Sequence, residues 1–520
     1  MKGCVHVAHV AILCCVAAFS AHTAYCEGLA SRDVPLPPGS AHNGTYGVRW
    51  KIIENEATDY YLPCERVGDA AGLSPSGFDT VFPWSGIRRC NVLKRADGTH
   101  TITYEHEPGF ALDGSNGNVM VEIPKHYSKR CLRDGHEYRF ISSRPREGFT
   151  VDPAFIENGA EIGKIYVAAY EAHISPDGKM ESLTGVYPTA NHSRTEYRKY
   201  ARANGRGYGI FDIRTLLMIQ NLFLIEYAER DSQKAIGGGW GKILQPHRTN
   251  QCVLPEKGVN RIVAKAKRFP TDLFTGCAVT ITSYKTGGVI HTGRTLTDVV
   301  LDSPQKGLAS LYFDGEAMDT TTNMCLGGAA QKTGWSDRLP SHSGHTAYNG
   351  NPPGNEYRCA VKYRHMENLW GNVWCYIDGL NLDNGRAYIC ENMNDYENGI
   401  LSNTYKPVAI TQQIQTDNGD IGGDREIHFL KNLGYDPRYP WLALPQDSVY
   451  ADKSSVKGAS ALLRNNHFGD YYYLSTEAKN YVHGGGFDHY WRCGLFTLRG
   501  WQGDTKTWYL YGSRMIFKPL

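Results

Sequence analysis

The chain has 520 residues, enough for two or three domains and a large core. Lys plus Arg number 55 against 53 Asp plus Glu, a net charge of +2, so charge gives no reason to expect a nucleic acid or an anionic membrane as partner. The 33 Tyr and 10 Trp stand out, and such side chains serve either recognition surfaces or half-buried strand positions.

Residues 1–26 read as a signal peptide. Lys2 precedes an apolar run over 10–19, and small residues follow at Ser20, Ala21 and Ala24. The run is too short to cross a bilayer, which takes about 20 apolar residues, and suits an export signal cleaved after Ser20 or Cys26. The competing reading is a start codon assigned too far upstream. No other run approaches the length of a membrane span, so the mature chain is expected to be soluble, without membrane insertion, and secreted or held at a cell surface. Cys4, Cys14, Cys15 and Cys26 lie in or beside the signal. Cys64, Cys90, Cys131, Cys252, Cys277, Cys325, Cys359, Cys375, Cys390 and Cys493 follow. None forms a C-x-x-C pair, which argues against structural zinc. In an exported chain they could form disulfides, and they serve equally as small buried hydrophobes.

Residues 27–45, with a Pro-rich stretch at 31–40, form a linker. From 46 to 160, β-prone runs at 46–53, 101–104, 119–123 and 137–141 alternate with turn signals such as Asp113-Gly114 and Asn116-Gly117. This predicts a β-rich N-terminal module, whose sheet can run on into a second domain at 161–520. The clearest helices come there. Ser193 and Glu196 have capping-box spacing before a helix over 196–203 that stops at Asn204-Gly205. Asp212 can cap a second, from Ile213 to about Arg230, in which Leu216, Leu217, Ile219, Gln220, Phe223, Leu224 and Tyr227 form a broad apolar face.

Residues 254–323 lose the helical pattern and read as a small inserted β domain. Residues 334–356 and 398–424 are long polar loops, and the second contains Asp417, Asp420 and Asp424, which could hold Ca2+ in a loop although the EF-hand spacing is missing. The Gly-rich 237–242 is not a phosphate loop, because Ile243 stands where Ser or Thr must reach magnesium. His483, Asp488 and His489 could ligate a metal, but spacing places no third ligand, and exposed histidines are the plainer reading.

The stretch 365–381, HMENLWGNVWCYIDGLN, packs Leu369, Trp370, Val373, Trp374, Tyr376 and Ile377 around Gly371-Asn372. Two indoles so close predict a core strand entered through a tight turn. With Asn368, Trp370, Gly371, Asn372, Trp374 and Asp378, the stretch resembles the signature of the formylglycine-generating-enzyme branch of the C-type-lectin fold. It is closer still to the form found in phage tail and host-recognition proteins of that fold. Similar phrases occur at 113–124, 166–171, 198–208 and 225–233. The resemblance implies an α+β, C-type-lectin-like domain with two helices, carrying the N-terminal module and the insertion.

In the resembled fold, a Gly-rich turn and a terminal Gly-x-Arg strand bracket the ligand-facing segment. Here the brackets are Gly484, Gly485, Gly486, Phe487 and Gly512, Arg514. Between them lie Asp488, His489, Tyr490, Trp491, Arg492, Arg499, Trp501, Gln502, Asp504, Lys506, Trp508, Tyr509 and Tyr511. Aromatic faces beside directional polar groups are what a binding hot spot needs, although Phe496 and Trp508 are expected to turn into the core. In relatives diversified by retroelements this segment is the hypervariable one. Formylglycine-generating enzymes place a cysteine pair after the turn and use copper; here Cys493 is the single thiol beyond it, so the family's catalysis is not expected. The expectation is a non-catalytic receptor-binding protein, secreted, at the cell surface or in a virion tail, with no resident cofactor. Its ligand is a cell-surface glycan or protein receptor, and a tail-fibre-like protein would be a homo-oligomer, a trimer. The alternatives are an oxidoreductase of the formylglycine-generating type and a purely structural virion or surface protein.

Overall fold

The computed structural model describes residues 44–55, 62–241, 250–265, 273–303, 307–346, 358–399, 403–415, 427–451, 468–501, 503, 505 and 507–519. The signal-peptide reading, nearly all of the linker and the Ca2+-candidate loop lie outside the described residues.

Period-two burial builds the first sheet. Its antiparallel strands run Glu65–Gly68, Thr45–Lys51, His136–Ser142, Tyr127–Arg133, Thr150–Val151 in spatial order. Tyr46, Val48 and Trp50 alternate along one strand and are all buried. Tyr46 meets Phe78 and Trp84 edge-on, at 6.2 and 5.7 Å between ring centroids.

The second sheet ties distant parts of the chain together. Its order is Tyr208–Ile210, Met515–Phe517, Lys164–Ala168, Asn118–Pro124, Arg88–Lys94, His100–Tyr104. It therefore runs across the boundary placed at 160/161. The last strand of the chain pairs on both sides, with Tyr166–Val167 and with Tyr208–Ile210. That pairing anchors the far end of the 488–511 segment.

A third, six-stranded antiparallel sheet spans Cys252–Leu254 to Met324–Gly328, where the inserted β domain was expected. A fourth sheet carries the candidate site, in the order Tyr472–Leu474, Gly494–Gly500, Val482–Gly484, Trp374–Tyr376, Tyr511–Gly512. Trp374 registers with Tyr511 in parallel, and Cys375 with His483 antiparallel.

The helices begin where their caps are. In Arg194–Arg202 (α1) the full capping box forms, Ser193 Oγ accepting from Glu196 N–H and Glu196 accepting from Ser193 N–H at 2.8 Å. In Ile213–Tyr227 (α2) the Asp212 carboxylate accepts from Thr215 N–H at 2.8 Å. This helix stops at Tyr227, short of Arg230, because Ala228 turns left-handed (φ 49°). Arg66 donates to the carbonyls of Ile225 and Glu226 at 3.2 and 2.6 Å, filling acceptors the ended helix leaves open. Every residue of α2 from Ile213 to Glu226 is buried, so the helix is wrapped on all sides. A third helix, Ser232–Ala235 (α3), is capped by Asp231.

The α+β, C-type-lectin-like expectation with two helices does not hold. Among the described residues 39% are strand and 12% helical, and three α-helices and nine sheets occur. The periodic helices were strong local signals and drew the reading toward α+β. Short strands separated by Gly turns carry little periodicity of their own, yet they make up most of the structure.

Candidate ligand-binding site

The 365–381 stretch forms the wall on which the site is built. Gly371 (φ +79°) passes so close to the backbone of Trp240 that a Cβ would lie 2.7 Å from its nitrogen. Asn372, also left-handed at φ 60°, donates to Glu171 at 2.5 Å and accepts from Gln331 N–H at 2.7 Å. Glu171 also accepts from Val373 N–H, and burial pushes its pKa up to about 8. Asn368 donates to the same carboxylate at 3.4 Å, and Arg514 donates to the Asn368 carbonyl at 3.1 Å. Asp378 takes a two-pronged pair from Arg198 at 2.8 and 2.8 Å. Trp370 donates to the Gly237 carbonyl at 2.9 Å. The motif residues thus hold one another in place, and a small cavity lined by Glu171, Asn368, His483 and Arg514 belongs to this wall.

Gly484 (φ +91°) and Gly485 (φ +89°) then turn the chain where side chains would strike the Leu369 carbonyl at 2.9 Å and Cys493 Cα at 2.8 Å. Gly486 lies against Trp374, and the turn carries Phe487, Asp488 and His489 inward. His489 Nδ1 lies 2.7 Å from Asp488 Oδ1, and Tyr509 donates its hydroxyl to Asp488 at 3.4 Å. His489 meets Trp374 and Trp508 edge-on, at 5.1 and 6.1 Å. Arg499, on strand Gly494–Gly500, is 1% exposed. Its guanidinium lies 4.2 Å from the ring centre of Trp501, 5.6 Å from Trp508 and 5.9 Å from Trp374. Arg499, Trp374, His489 and Trp508 therefore close a ring of contacts.

Over this layer sit Tyr490, Arg492, Trp501, Trp508 and Tyr509, all half-exposed. Arg492 reaches toward Tyr471, its guanidinium 5.8 Å from the ring centre, and Tyr511 is buried against Trp508 at 5.4 Å. Gln502, Asp504 and Lys506 lie outside the described residues, as does the side chain of Trp491.

Several expectations change here. Asp488, His489 and Arg499 are not surface contacts, because the Gly turn carries the first two inward and the strand Gly494–Gly500 that holds Arg499 is buried along its whole length. His483 and His489 are buried, not exposed. His483 is held by the Leu495 carbonyl at 2.8 Å, and burial lowers its pKa to about 4. Phe496 is core, whereas Trp508 stays half-exposed. Cys64, Cys90, Cys252, Cys277, Cys375, Cys390 and Cys493 are free thiols, unlike the disulfides an exported chain allows. No group of three His, Cys, Asp or Glu that could hold a metal occurs among the described residues.

Sequence reasoning missed what holds the strand beneath the site. Ser232 accepts from Leu495 N–H at 2.9 Å, Gln233 donates to the Cys493 carbonyl, and Asp470 accepts from Phe496 N–H at 2.6 Å. The Asp231 cap of α3 was the available signal for the first two.

The sequence matches no protein-family model and no curated protein.

Proposed function

We propose that this is a non-catalytic ligand-binding protein whose recognition surface is the layer formed by Tyr490, Trp501, Trp508 and Tyr509. Its role is similar to that of phage tail host-recognition proteins, whether on a virion or at a cell surface, and its ligand is a receptor glycan or protein. The observation carrying this reading is the two-tier arrangement: half-exposed aromatic rings lie over buried polar groups, Asp488, His489 and Arg499. Rigid rings give contact area at low entropy cost, and polar groups under them give direction.

Thiol chemistry is disfavoured. Cys493 is fully buried, its Sγ lies 3.4 Å from the Gly486 carbonyl, and burial pushes its pKa well up, away from the reactive thiolate. Among the described residues no helix is long and apolar enough to cross a membrane.

The test is a glycan array probed with the parent protein and with Tyr490→Ala, Trp501→Ala, Trp508→Ala and Cys493→Ser, each checked for folding. At least one folded aromatic variant should lose about 2 kcal/mol of binding, near thirtyfold, while Cys493→Ser keeps its affinity. A parent protein that retains no glycan and no cell-surface receptor, or a loss confined to Cys493→Ser, overturns the proposal.

A further inference from the structure

Among the described residues the buried arginines other than Arg499 are tied down. Arg139 donates to Glu137 and Asn221, both at 2.6 Å. Arg194 donates to the Leu380 carbonyl at 3.0 Å and to Asn381 at 2.7 Å. Arg214 donates to Glu157 at 2.7 Å, and Arg230 to the Leu62 carbonyl at 3.3 Å. Arg499 is as deeply buried as these, yet Nε, Nη1 and Nη2 all lack a hydrogen-bond partner among the described residues. An unmet buried charge is expensive, and indole faces offset only part of the cost. Asp488, a carboxylate of the same cluster, lies 2.7 Å from His489 Nδ1 through Oδ1 and accepts the Tyr509 hydroxyl at Oδ2 at 3.4 Å.

Three further polar atoms of the same ring of contacts, Trp374 Nε1 and His489 Nδ1 and Nε2, also lack hydrogen-bond partners among the described residues. Burial holds His489 toward its neutral form, in which one ring nitrogen carries the proton and the other accepts; Nδ1 lies 2.7 Å from Asp488 Oδ1, and a proton there beside the carboxylate leaves Nε2 as the acceptor. The unfilled set is therefore one guanidinium fork, one indole N–H and one acceptor, beside the half-exposed rings of Trp501 and Trp508.

We infer that Arg499 is an anion-recognition residue and that the ligand is an acidic saccharide. A single monoanionic group, carboxylate or sulfate ester, pairs with the guanidinium, a sugar hydroxyl donates to His489 Nε2, and the pyranose ring lies on an indole. Arg499, a cation without a hydrogen-bond partner among the described residues, matches one negative charge, and its planar fork suits a two-oxygen acceptor. Trp501, whose ring centre is 4.2 Å from the guanidinium, covers Arg499 and must be displaced or passed by the ligand, so binding should change tryptophan emission. This inference rests on the binding surface proposed above and adds the ligand's charge.

The experiment titrates the full chain with sialyllactose, trigalacturonate and sulfated lactose, with lactose and the trigalacturonate methyl ester as neutral controls, followed by tryptophan fluorescence and calorimetry. At least one acidic sugar should bind about tenfold or more tighter than its neutral control, and the carboxylated and sulfated arms identify which anion is preferred. Arg499→Met should bring the acidic sugar down to the neutral level. Arg499→Lys, which keeps the charge without the fork, should fall between. Because the parent comparison needs no variant, a misfolded Arg499→Met leaves the test intact. Equal affinity for acidic and neutral sugars, or no binding of any sugar, overturns the inference, and so does Arg499-dependent binding of a peptide carboxylate alone. Neutral glycans lost in Trp501→Ala but retained in Arg499→Met would overturn it while leaving the binding surface standing.

Discussion

Two aromatic-rich regions share one sheet and treat their buried polar groups in opposite ways. In the 365–381 wall, Asn372 bridges Glu171 and Gln331, and Asp378 holds Arg198 with both oxygens. In the 488–511 segment, Arg499 is buried to the same depth with none of its three nitrogens engaged among the described residues. Trp374 faces both regions, belonging to the wall by position and meeting His489 of the segment edge-on. Aromatic content alone therefore does not separate a core from a site. The distinction is whether the polar groups among the rings are satisfied from within the chain.

The largest effect is expected in the wall. Trp370→Ala removes a fully buried indole packed on Phe223 and should cost about 3–5 kcal/mol of stability in urea unfolding. A loss below about 1 kcal/mol would mean the wall can collapse around the gap, and the contrast with the segment would weaken.

Next comes His483, on the strand between the two regions. Its pKa is lowered from 6.5 to about 4, so the unfolded chain takes up the proton first as pH falls. Stability present above pH 6.5 is then lost as pH falls toward 4, by about 3 kcal/mol in all. His483→Gln should remove this part of the acid sensitivity, read as the difference between the urea midpoints of parent and variant at neutral pH and near pH 4.5. Parallel pH profiles would show that His483 is solvated more than its position implies.

Gly371→Ala should cost about 2 kcal/mol, because alanine must take φ +79° with its methyl group against Trp240. A neutral result would show that the wall tolerates movement the satisfied hydrogen bonds argue against.

What could be read from the sequence was local. The Ser193–Glu196 box, the Asp212 cap and the left-handed Gly371-Asn372 turn each depend on residues a few positions apart. The run of strands around 254–323 was legible because strand composition persists over a long block. The fold class was not, since the second sheet depends on Met515–Phe517 lying between Lys164–Ala168 and Tyr208–Ile210, a pairing with no local signature. At the site, the residue types were legible and their depth was not. Asp, His and Arg ordinarily mark a surface. Here the turn at Gly484-Gly485 carries Asp488 and His489 inward, and Arg499 lies on Gly494–Gly500, a strand buried along its whole length, while Tyr490, Trp501 and Trp508 remain half-exposed.

The central claim is that Arg499 is kept for something outside the fold. The most direct measurement is the unfolding free energy of Arg499→Met, an apolar side chain of similar length, in urea at neutral pH. If the guanidinium has no structural partner, the variant should lie within about 1 kcal/mol of the parent or be more stable, because an apolar replacement sheds the desolvation cost. A loss of about 3 kcal/mol or more would instead make Arg499 a structural prop held by its three indoles, and would contradict the account.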